Sequence, residues 1–402
     1  MAMTNAVVSV RPANARKNIE VFTSLRGIAC LIVVMAHVWS ILDWPRLFAN
    51  DRSVLSSYQL IGGLFNASGA VQMFFVLSAC VLAVSLSNEP TQQAPPVKKF
   101  YVRRFFRIYP ALWASIVLTL CLWHLIRSPQ ALDSGLYSAW GAWQAYPSPP
   151  TAKLIALSML GLYVHLNGPL WTLRVELFYS LAFPVIYLLA RNPRKRWALL
   201  ACVSLLALLP IPRVFCMHYA LAFGLGAAIP FLPRAGDVPY RITATIALIA
   251  LLFSQMAADR LGIDMKGAEN IEMLVAFVAV YCLYHSGRSM QALEAGPFAF
   301  IGDISYSIYV LHFPILFALT PLVVEGFGTT QVRAHPLASL LVLTVFAICT
   351  TIFVAALSRR YVERPGERLG RILYAAGKEQ SSRASTTDNS PSVASRRPSE
   401  RD

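Results

Sequence analysis

The sequence predicts an all-α protein that crosses a membrane with about ten helices. Of its 402 residues, 56% are hydrophobic and 14% are charged, a balance that is unusual for a soluble domain. The apolar residues stand in long runs of roughly 18–25 residues, about the length that a helix needs to cross a bilayer. Strands of a membrane barrel would instead alternate in hydrophobicity over about ten residues, and the sequence lacks this pattern. We therefore expect a polytopic helical membrane protein.

The apolar runs mark ten predicted spans, near residues 21–42, 60–86, 106–126, 168–190, 197–212, 214–232, 241–258, 269–286, 304–324 and 337–358. Pro210, Pro212 and Arg213 interrupt the fifth and sixth of them. The apolar segment 152–166 is too short to cross, so we expect an interfacial or re-entrant helix there.

The spans divide the chain into three predicted regions. Residues 1–20 form a cytoplasmic N-terminal segment, residues 21–372 the membrane domain and residues 373–402 a cytoplasmic tail. Ser, Arg and Pro dominate the tail, which cannot bury enough apolar surface to fold alone. We therefore expect the tail to be disordered.

The distribution of charge predicts the orientation. The net charge is +15, and the basic residues gather between alternate apolar runs, which the positive-inside rule explains more simply than binding to nucleic acid. The loops assigned to the cytoplasm hold Lys98, Lys99, Arg103, Arg104, Arg107, Arg191, Arg194, Lys195, Arg196, Arg359, Arg360, Arg364 and Arg368. The outer loops hold isolated basic residues such as Arg46, Arg52 and Arg260. Both termini are therefore expected in the cytoplasm, and no nucleic-acid partner is expected.

The seven cysteines lie mostly within the apolar runs and show neither metal-ligand spacing nor a disulfide framework. We expect no metal and no permanently bound cofactor. The outer loop 127–150 is rich in Trp, Tyr and Pro ("SAWGAWQAYPSPP"). Its aromatic residues belong either to an interfacial belt or to a platform on which a sugar stacks.

Ionisable residues inside the spans are the functional candidates, because a charge in lipid is costly. Arg26 and His37 are eleven residues apart, so they share one face of the first span and lie roughly 16 Å apart along its axis. Arg26 would stand at the cytoplasmic mouth and His37 near the middle of the bilayer. A snorkelling arginine and a histidine bonded to a neighbouring helix are one explanation. The other is that His37 is a general base, since imidazole titrates near neutral pH.

Three further spans carry polar residues of interest. Arg104 and Arg107, in "FYVRRFFRIYP", share one helical face at a cytoplasmic end, where they suit phosphate oxygens. In "GPLWTLRVELFYSLAFP", Arg174 can snorkel outward, whereas Glu176 has a short side chain and needs a partner inside the membrane. In "GDISYSIYVLHFPI", His312 on its own is accounted for by a structural role.

Taken together, these motifs resemble the acyltransferase-3 family of integral membrane acyltransferases. The matching segments are "FTSLRGIACLIVVMAH", "MFFVLSACVLAVS", "FYVRRFFRIYP", "GPLWTLRVELFYSLAFP", "ISYSIYVLHFPI" and "RYVERP", in the family's order over about residues 21–365. The resemblance implies about ten membrane helices and transfer of an acyl group, usually acetyl, from acyl-coenzyme A. The acceptors it implies are typically hydroxyls of cell-surface or secreted glycans, and in some members antibiotics or lipids.

The resemblance also implies roles for individual residues. His37 and Glu176 are expected to be catalytic, and Arg26, Arg104 and Arg107 to bind the coenzyme. The substrate site is expected to include Trp171, Arg174, Tyr306 and His312. The chain departs from the family's usual pattern in that Ala79 follows Ser78, Arg174 stands before Val-Glu, and Leu177 replaces a frequent second acid.

The expected mechanism has neutral His37 take the proton of an acceptor hydroxyl as that oxygen attacks the thioester. Glu176 would orient the imidazole or the acceptor. An acyl-histidine intermediate is the alternative route.

The expected function is that of a membrane O-acyltransferase of the bacterial inner (plasma) membrane. It would use acyl-coenzyme A, most simply acetyl-CoA, and a glycan or glycolipid such as an exopolysaccharide, O-antigen or lipo-oligosaccharide. Two alternatives stay open: a secondary transporter, although no internal repeat is visible, and a lipid-linked-sugar glycosyltransferase, for which Asp43 and Asp51 are available in an outer loop. The acceptor, the acyl group and the oligomeric state are left open by the sequence.

Overall fold

A computed structural model describes residues 15–88, 96–145, 150–164, 166–211, 216–286, 293 and 296–387. This part of the chain is helical and contains no strand. Its α-helices are α1 (Ala15–Ile41), α2 (Trp44–Leu47), α3 (Arg52–Gly62), α4 (Ala67–Ser87), α5 (Val97–Cys121), α6 (Trp123–Ile126), α7 (Pro129–Leu132), α8 (Ala139–Ala145), α9 (Ala152–Met159), α10 (Leu170–Arg191), α11 (Pro193–Leu208), α12 (Ala220–Ala228), α13 (Tyr240–Leu261), α14 (Met265–His285), α15 (Gly296–Asp303), α16 (Ser305–Phe327), α17 (Thr329–Ala334), α18 (Pro336–Ser358) and α19 (Arg364–Thr387). Two 3₁₀ turns, Met217–Tyr219 and Ile229–Phe231, flank α12, and a π turn, Arg359–Glu363, joins α18 to α19.

Within the described residues, eight helical stretches are long and apolar enough to cross a membrane. They are Glu20–Ile41, Arg52–Ser87, Val97–Cys121, Leu170–Arg191, Tyr240–Leu261, Met265–His285, Ser305–Phe327 and Pro336–Ala376. The chain is therefore an all-α polytopic protein, as its sequence predicts. The predicted orientation of the termini stays a prediction.

The predicted spans 197–212 and 214–232 are shorter than expected. Helix α11 has 16 residues, or about 24 Å, which falls short of the roughly 30 Å of a hydrocarbon core. Pro210 follows the end of this helix, and proline cannot continue a helix without losing a hydrogen bond. The second segment is the apolar stretch Met217–Phe231, in which every residue of α12 is buried. The predicted count of ten is reached only when these two short segments are included.

Helices α1 and α16 lie side by side in parallel register. The Cys30 thiol donates to the Ser305 carbonyl at 3.1 Å, and His37 contacts His312, both pairs being 275 positions apart. Below them α15 crosses α1 so closely that a Cβ on Gly302 would stand 2.5 Å from the Thr23 carbonyl oxygen. This packing sets the depth of every α1 side chain relative to α16.

The segment after α6 folds over the outer end of α1. Asp43 N donates to the Leu136 carbonyl at 2.8 Å, and Ser138 N donates to the Ile41 carbonyl at 3.2 Å. A Cβ on Gly141 would clash with that same Ile41 carbonyl, so only glycine allows α8 to lie this close. Helix α8 thereby brings part of the aromatic outer loop above α1.

Helix α19 extends further than the sequence analysis predicts. It reaches Thr387, so residues 373–387 of the predicted disordered tail are helical, and residues 388–402 lie outside the described part of the chain. Leu, Ala, Glu, Lys and Arg favour helix here. Two glycines bring α19 against α5, since a Cβ on Gly366 or Gly370 would stand within 2.8 Å of Pro110 or Phe106. The predicted short helix within 152–166 is α9, which has eight residues.

Candidate active site

Two histidines from α1 and α16 form the centre of the candidate site. His37 Nδ1 lies 2.9 Å from His312 Nε2, and the two rings stack with centroids 5.1 Å apart. His312 Nδ1 lies 2.8 Å from the Tyr309 carbonyl oxygen and 3.1 Å from that of Ile308. Because carbonyl oxygens only accept, His312 carries its proton on Nδ1 and accepts at Nε2. His37 must then donate from Nδ1, which leaves its Nε2 as the basic nitrogen.

The His37 imidazole lines a cavity of about 230 Å³, here called the outer cavity. The polar and aromatic residues around this space are Ser68, Gln72, Trp171, Glu269 and Tyr309. Trp140 of α8 stacks on the imidazole with ring centroids 5.3 Å apart, and Phe313 meets it edge-on at 6.1 Å. The aromatic outer loop therefore contributes a ring to the histidine site.

A second cavity of about 130 Å³, here called the inner cavity, brings the predicted coenzyme-binding arginines together. Arg26, Arg104 and Arg107 all line it. Val71 and Tyr309 line both cavities, so the two spaces meet at these residues. The Tyr309 hydroxyl accepts from Thr172 Oγ1 at 2.8 Å. The cavity lined by the three arginines is therefore adjacent to the cavity lined by His37.

Glu176 lies against Arg104 in the inner cavity. Arg104 Nη2 is 2.8 Å from Glu176 Oε1, and the Ser78 hydroxyl donates to the same oxygen at 3.0 Å. Arg104 also donates to Ser180 Oγ at 2.7 Å. The expectation that Glu176 orients the imidazole is not met, because His312 occupies that place. A role of Glu176 toward the acceptor stays a prediction.

Arg107 is held by carboxylates at the inner end. Its Nη1 lies 2.8 Å from Glu363 Oε2 and 2.5 Å from Glu367 Oε1, and its guanidinium stands 5.6 Å from the centre of the Tyr306 ring. Arg359 bonds to Glu367 at 2.9 Å and so shares this network. The charge of Arg107 is therefore already compensated within the protein.

Arg26 differs from the other two arginines. Its Nε is buried without a hydrogen-bond partner, and no carboxylate lies within ion-pair distance of it in the described part of the chain. Arg26 lines the cavity beside two further arginines, and it has no carboxylate partner among the described residues. Its guanidinium is therefore suited to bind an anion. Of the three predicted coenzyme-binding residues, Arg26 is the one whose charge is available.

The remaining predicted site residues separate into two groups. Trp171 lines the outer cavity and Tyr306 the inner one, where the Tyr306 hydroxyl donates to the Ile108 carbonyl at 2.8 Å. Arg174 lines neither cavity, because its guanidinium bonds to the Cys216 side chain beside the 3₁₀ turn. A place for Arg174 at the substrate site stays a prediction.

Comparison with known proteins decides the family. Residues 20–359 match a family model described as an acyltransferase domain, the acyltransferase-3 family. The chain belongs to this family. Among its relatives, the peptidoglycan O-acetyltransferase OatA of Listeria monocytogenes is 24% identical over 90% of this chain. The O-acetyltransferase OatA of Staphylococcus aureus is 22% identical over 82% of this chain.

This acyltransferase-3 chain spans 58% of the length of the first of these relatives and 57% of the second. No solved structure gives a significant match. The similarity therefore supports the identity of the membrane domain, and each relative's full activity belongs to that relative.

The residues of this acyltransferase-3 site that the sequence did not predict include Tyr309, Gln72 and Glu269. Gln72 lies in the middle of an apolar helix, and Glu269 lies near the start of α14, yet both line the outer cavity. The rule that singled out Glu176, namely that ionisable residues within spans are functional candidates, covers Glu269 at the edge of the predicted span 269–286. Gln72 is a neutral amide, so the rule finds it only when extended to all polar residues.

Proposed function

We propose that this chain is a membrane O-acyltransferase that moves an acyl group, usually acetyl, from acyl-coenzyme A to a hydroxyl of a cell-surface or secreted glycan. One observation carries the proposal: His37 lines a cavity that shares two lining residues with a second cavity lined by three arginines. The family favours acyl transfer over transport or glycosyl transfer. The names of the two relatives support an oxygen acceptor on a glycan.

The inner cavity suits the donor. Coenzyme A is an anion, and Arg26 offers an uncompensated guanidinium to its phosphates. Arg104 and Arg107 are bound to Glu176, Glu363 and Glu367, so phosphate oxygens would compete with carboxylates there. The long pantetheine arm would pass between Val71 and Tyr309 and bring the thioester to His37.

His37 would act as the general base. Its Nε2 takes the proton of the acceptor hydroxyl while that oxygen attacks the thioester carbonyl carbon. The tetrahedral intermediate then collapses and the C–S bond breaks. The coenzyme thiolate leaves and takes up the proton that His37 holds. An ester and free coenzyme A are the products, so atoms and protons balance.

Two other residues would assist this step. His312 keeps Nε2 of His37 free by accepting the Nδ1 proton, and it shares the charge of the imidazolium that forms. Tyr309 lines both cavities, and its hydroxyl donates to the Pro169 carbonyl oxygen at a long 3.3 Å; it would turn from this carbonyl to donate to the developing oxyanion. The donor would enter from the cytoplasmic side of a bacterial inner membrane.

The test combines a donor assay with product analysis. Membrane vesicles that contain the protein receive isotope-labelled acetyl-CoA, and surface and secreted glycans are compared by mass spectrometry with those of cells that lack it. Transfer by the wild type, its loss in His37→Ala and its retention in His335→Ala, an exposed histidine between α17 and α18, would support the proposal. Solute uptake without an acyl donor, or transfer from a lipid-linked sugar, would contradict it.

A further inference from the structure

The outer cavity holds polar groups that the mechanism does not use. We infer that Gln72 and Glu269, which line this cavity together with Trp171 and His37, form a subsite that binds the hydroxyl groups of a neutral sugar. The inference rests on the proposed function and adds the acceptor's place and chemical class to it.

Gln72 is the first reason. Its side chain is 1% exposed and lines the outer cavity, and its Oε1 has no hydrogen-bond partner in the described part of the chain. A buried amide oxygen without a partner costs free energy, so native proteins rarely keep one without a use. Rotation of the amide by about 180° exchanges its oxygen and nitrogen, which would turn the oxygen toward the cavity, where a ligand hydroxyl would donate the missing hydrogen bond.

Glu269 is the second. Its side chain lines the same cavity, and its Oε2 lies 2.7 Å from Nε2 of His218, which is 2% exposed. His218 thus holds the carboxylate in one orientation. Sugar hydroxyls are good donors to a carboxylate, and an amide beside it can both donate and accept. Glu272, one turn further along α14, is instead satisfied by Asn66 and Ser254 and does not line the cavity.

The two cavities differ in charge in a way that selects the ligand. Three arginines line the inner cavity, whereas no lysine or arginine lines the outer one and Glu269 does. The Glu269 carboxylate would repel a phosphate or carboxylate ligand, and a hydrocarbon chain would leave the Gln72 amide oxygen without a hydrogen bond. The volume of about 230 Å³ far exceeds the ~15 Å³ that one water needs. A neutral polyhydroxyl ring, with Trp171 as an apolar wall, fits these features.

Direct binding of sugars tests the inference apart from catalysis. Full-length protein in detergent is titrated with four neutral probes, chitotetraose, cellotetraose, maltotetraose and mannotetraose, while binding of coenzyme A is measured separately. We expect saturable binding of at least one probe, weakened about tenfold in Gln72→Leu and in Glu269→Gln. Coenzyme A binding should be unchanged in both variants.

Controls keep the result specific. Gln255→Leu on α13, where the glutamine is half-buried, bonds to Asp259 and lines neither cavity, should bind the sugars as the wild type does. Gln72→Leu removes an unpaired polar atom, so its melting temperature should not fall. Absence of binding to all four probes, wild-type affinity in both variants, or equal loss of sugar and coenzyme binding would each overturn the inference. Sugar binding is measured without an acyl donor, so failure of acyl transfer and failure of this subsite give different results.

Discussion

The Nδ1 atom of His37 donates to the Nε2 atom of His312 across the α1–α16 interface, at 2.9 Å. The two backbone carbonyls that bind His312 Nδ1 determine the direction of this bond. One neutral tautomer of each ring is therefore selected by the backbone of α16, and the base of the site is prepared before any substrate binds.

Removal of the His312 acceptor is expected to slow turnover without preventing coenzyme binding. In His312→Phe, the Nδ1 proton of His37 loses its partner, so the imidazole can rotate or adopt the other tautomer. We expect kcat to fall by about 10²–10⁴ with the KM for acetyl-CoA changed by less than about threefold. Steady-state kinetics with purified protein measure both values.

The control for this prediction is His312→Gln, whose side-chain oxygen can accept the same bond. It should recover at least about tenfold of the lost kcat. If Phe and Gln at this position behave alike, His312 fills space and does not position His37.

Arg26→Gln is expected to weaken donor binding selectively. Arg26 has no carboxylate partner to leave behind, so its loss removes a charge-assisted contact to phosphate without stranding a buried anion. The KM for acetyl-CoA should rise by about tenfold or more, with melting temperature unchanged. Arg46→Gln, at an exposed arginine in the short helix α2, is the matched control. A wild-type KM in Arg26→Gln would remove Arg26 from the donor site.

Part of this site was predictable from one helix. Arg26 and His37 share a face of α1 because of helical periodicity alone, and the structure places both on cavities. The partner of each polar residue was less predictable. Glu176 pairs with Arg104, 72 positions away, and His37 with His312, 275 positions away. Such choices depend on how the helices pack, which hydrophobic patterning does not specify.

The length of the spans shows a similar limit. Apolar composition identified both 197–212 and 214–232, but it does not measure where a helix ends. Here α11 stops at Leu208, and Cys216 takes a left-handed conformation with φ of 59° before the 3₁₀ turn. Composition alone also missed the α19 helix up to Thr387, because polar residues favour helix as well as disorder.

The Asp303 carboxylate gives a pH dependence at the inner end of the bundle. Burial acts to raise the pKa of Asp303, but bonds and charges from Arg359 and Arg364 outweigh burial and hold that pKa below its ordinary value. A carboxyl with a depressed folded-state pKa stabilises the protein fully above its unfolded pKa of about 3.9. This contribution is lost as pH falls through the lower, folded-state pKa.

Asp303→Asn should therefore lower the melting temperature at neutral pH, and the difference from wild type should shrink below about pH 4. Melting curves from pH 3 to 8 provide the measurement. Asp133→Asn, an exposed residue outside the network, should give no such convergence. A difference between wild type and Asp303→Asn that stays constant across this range would contradict the ion-pair explanation.

Helices α1 and α15 cross in close contact, and we expect this packing to maintain the alignment of the site. A Cβ on Gly302 would stand 2.5 Å from the Thr23 carbonyl oxygen and 3.0 Å from the Ser24 amide nitrogen. These are backbone atoms that cannot move independently of α1. Gly302→Ala is thus expected to force the helices apart, at a cost of about 1–3 kcal/mol, and to move α1 relative to α16. Both melting temperature and turnover should fall. Gly296→Ala, on the same helix but with open space around the added Cβ, should match the wild type in both measurements. If Gly302→Ala melts and turns over as the wild type does, the contact between α1 and α15 does not set the register that aligns His37 with His312.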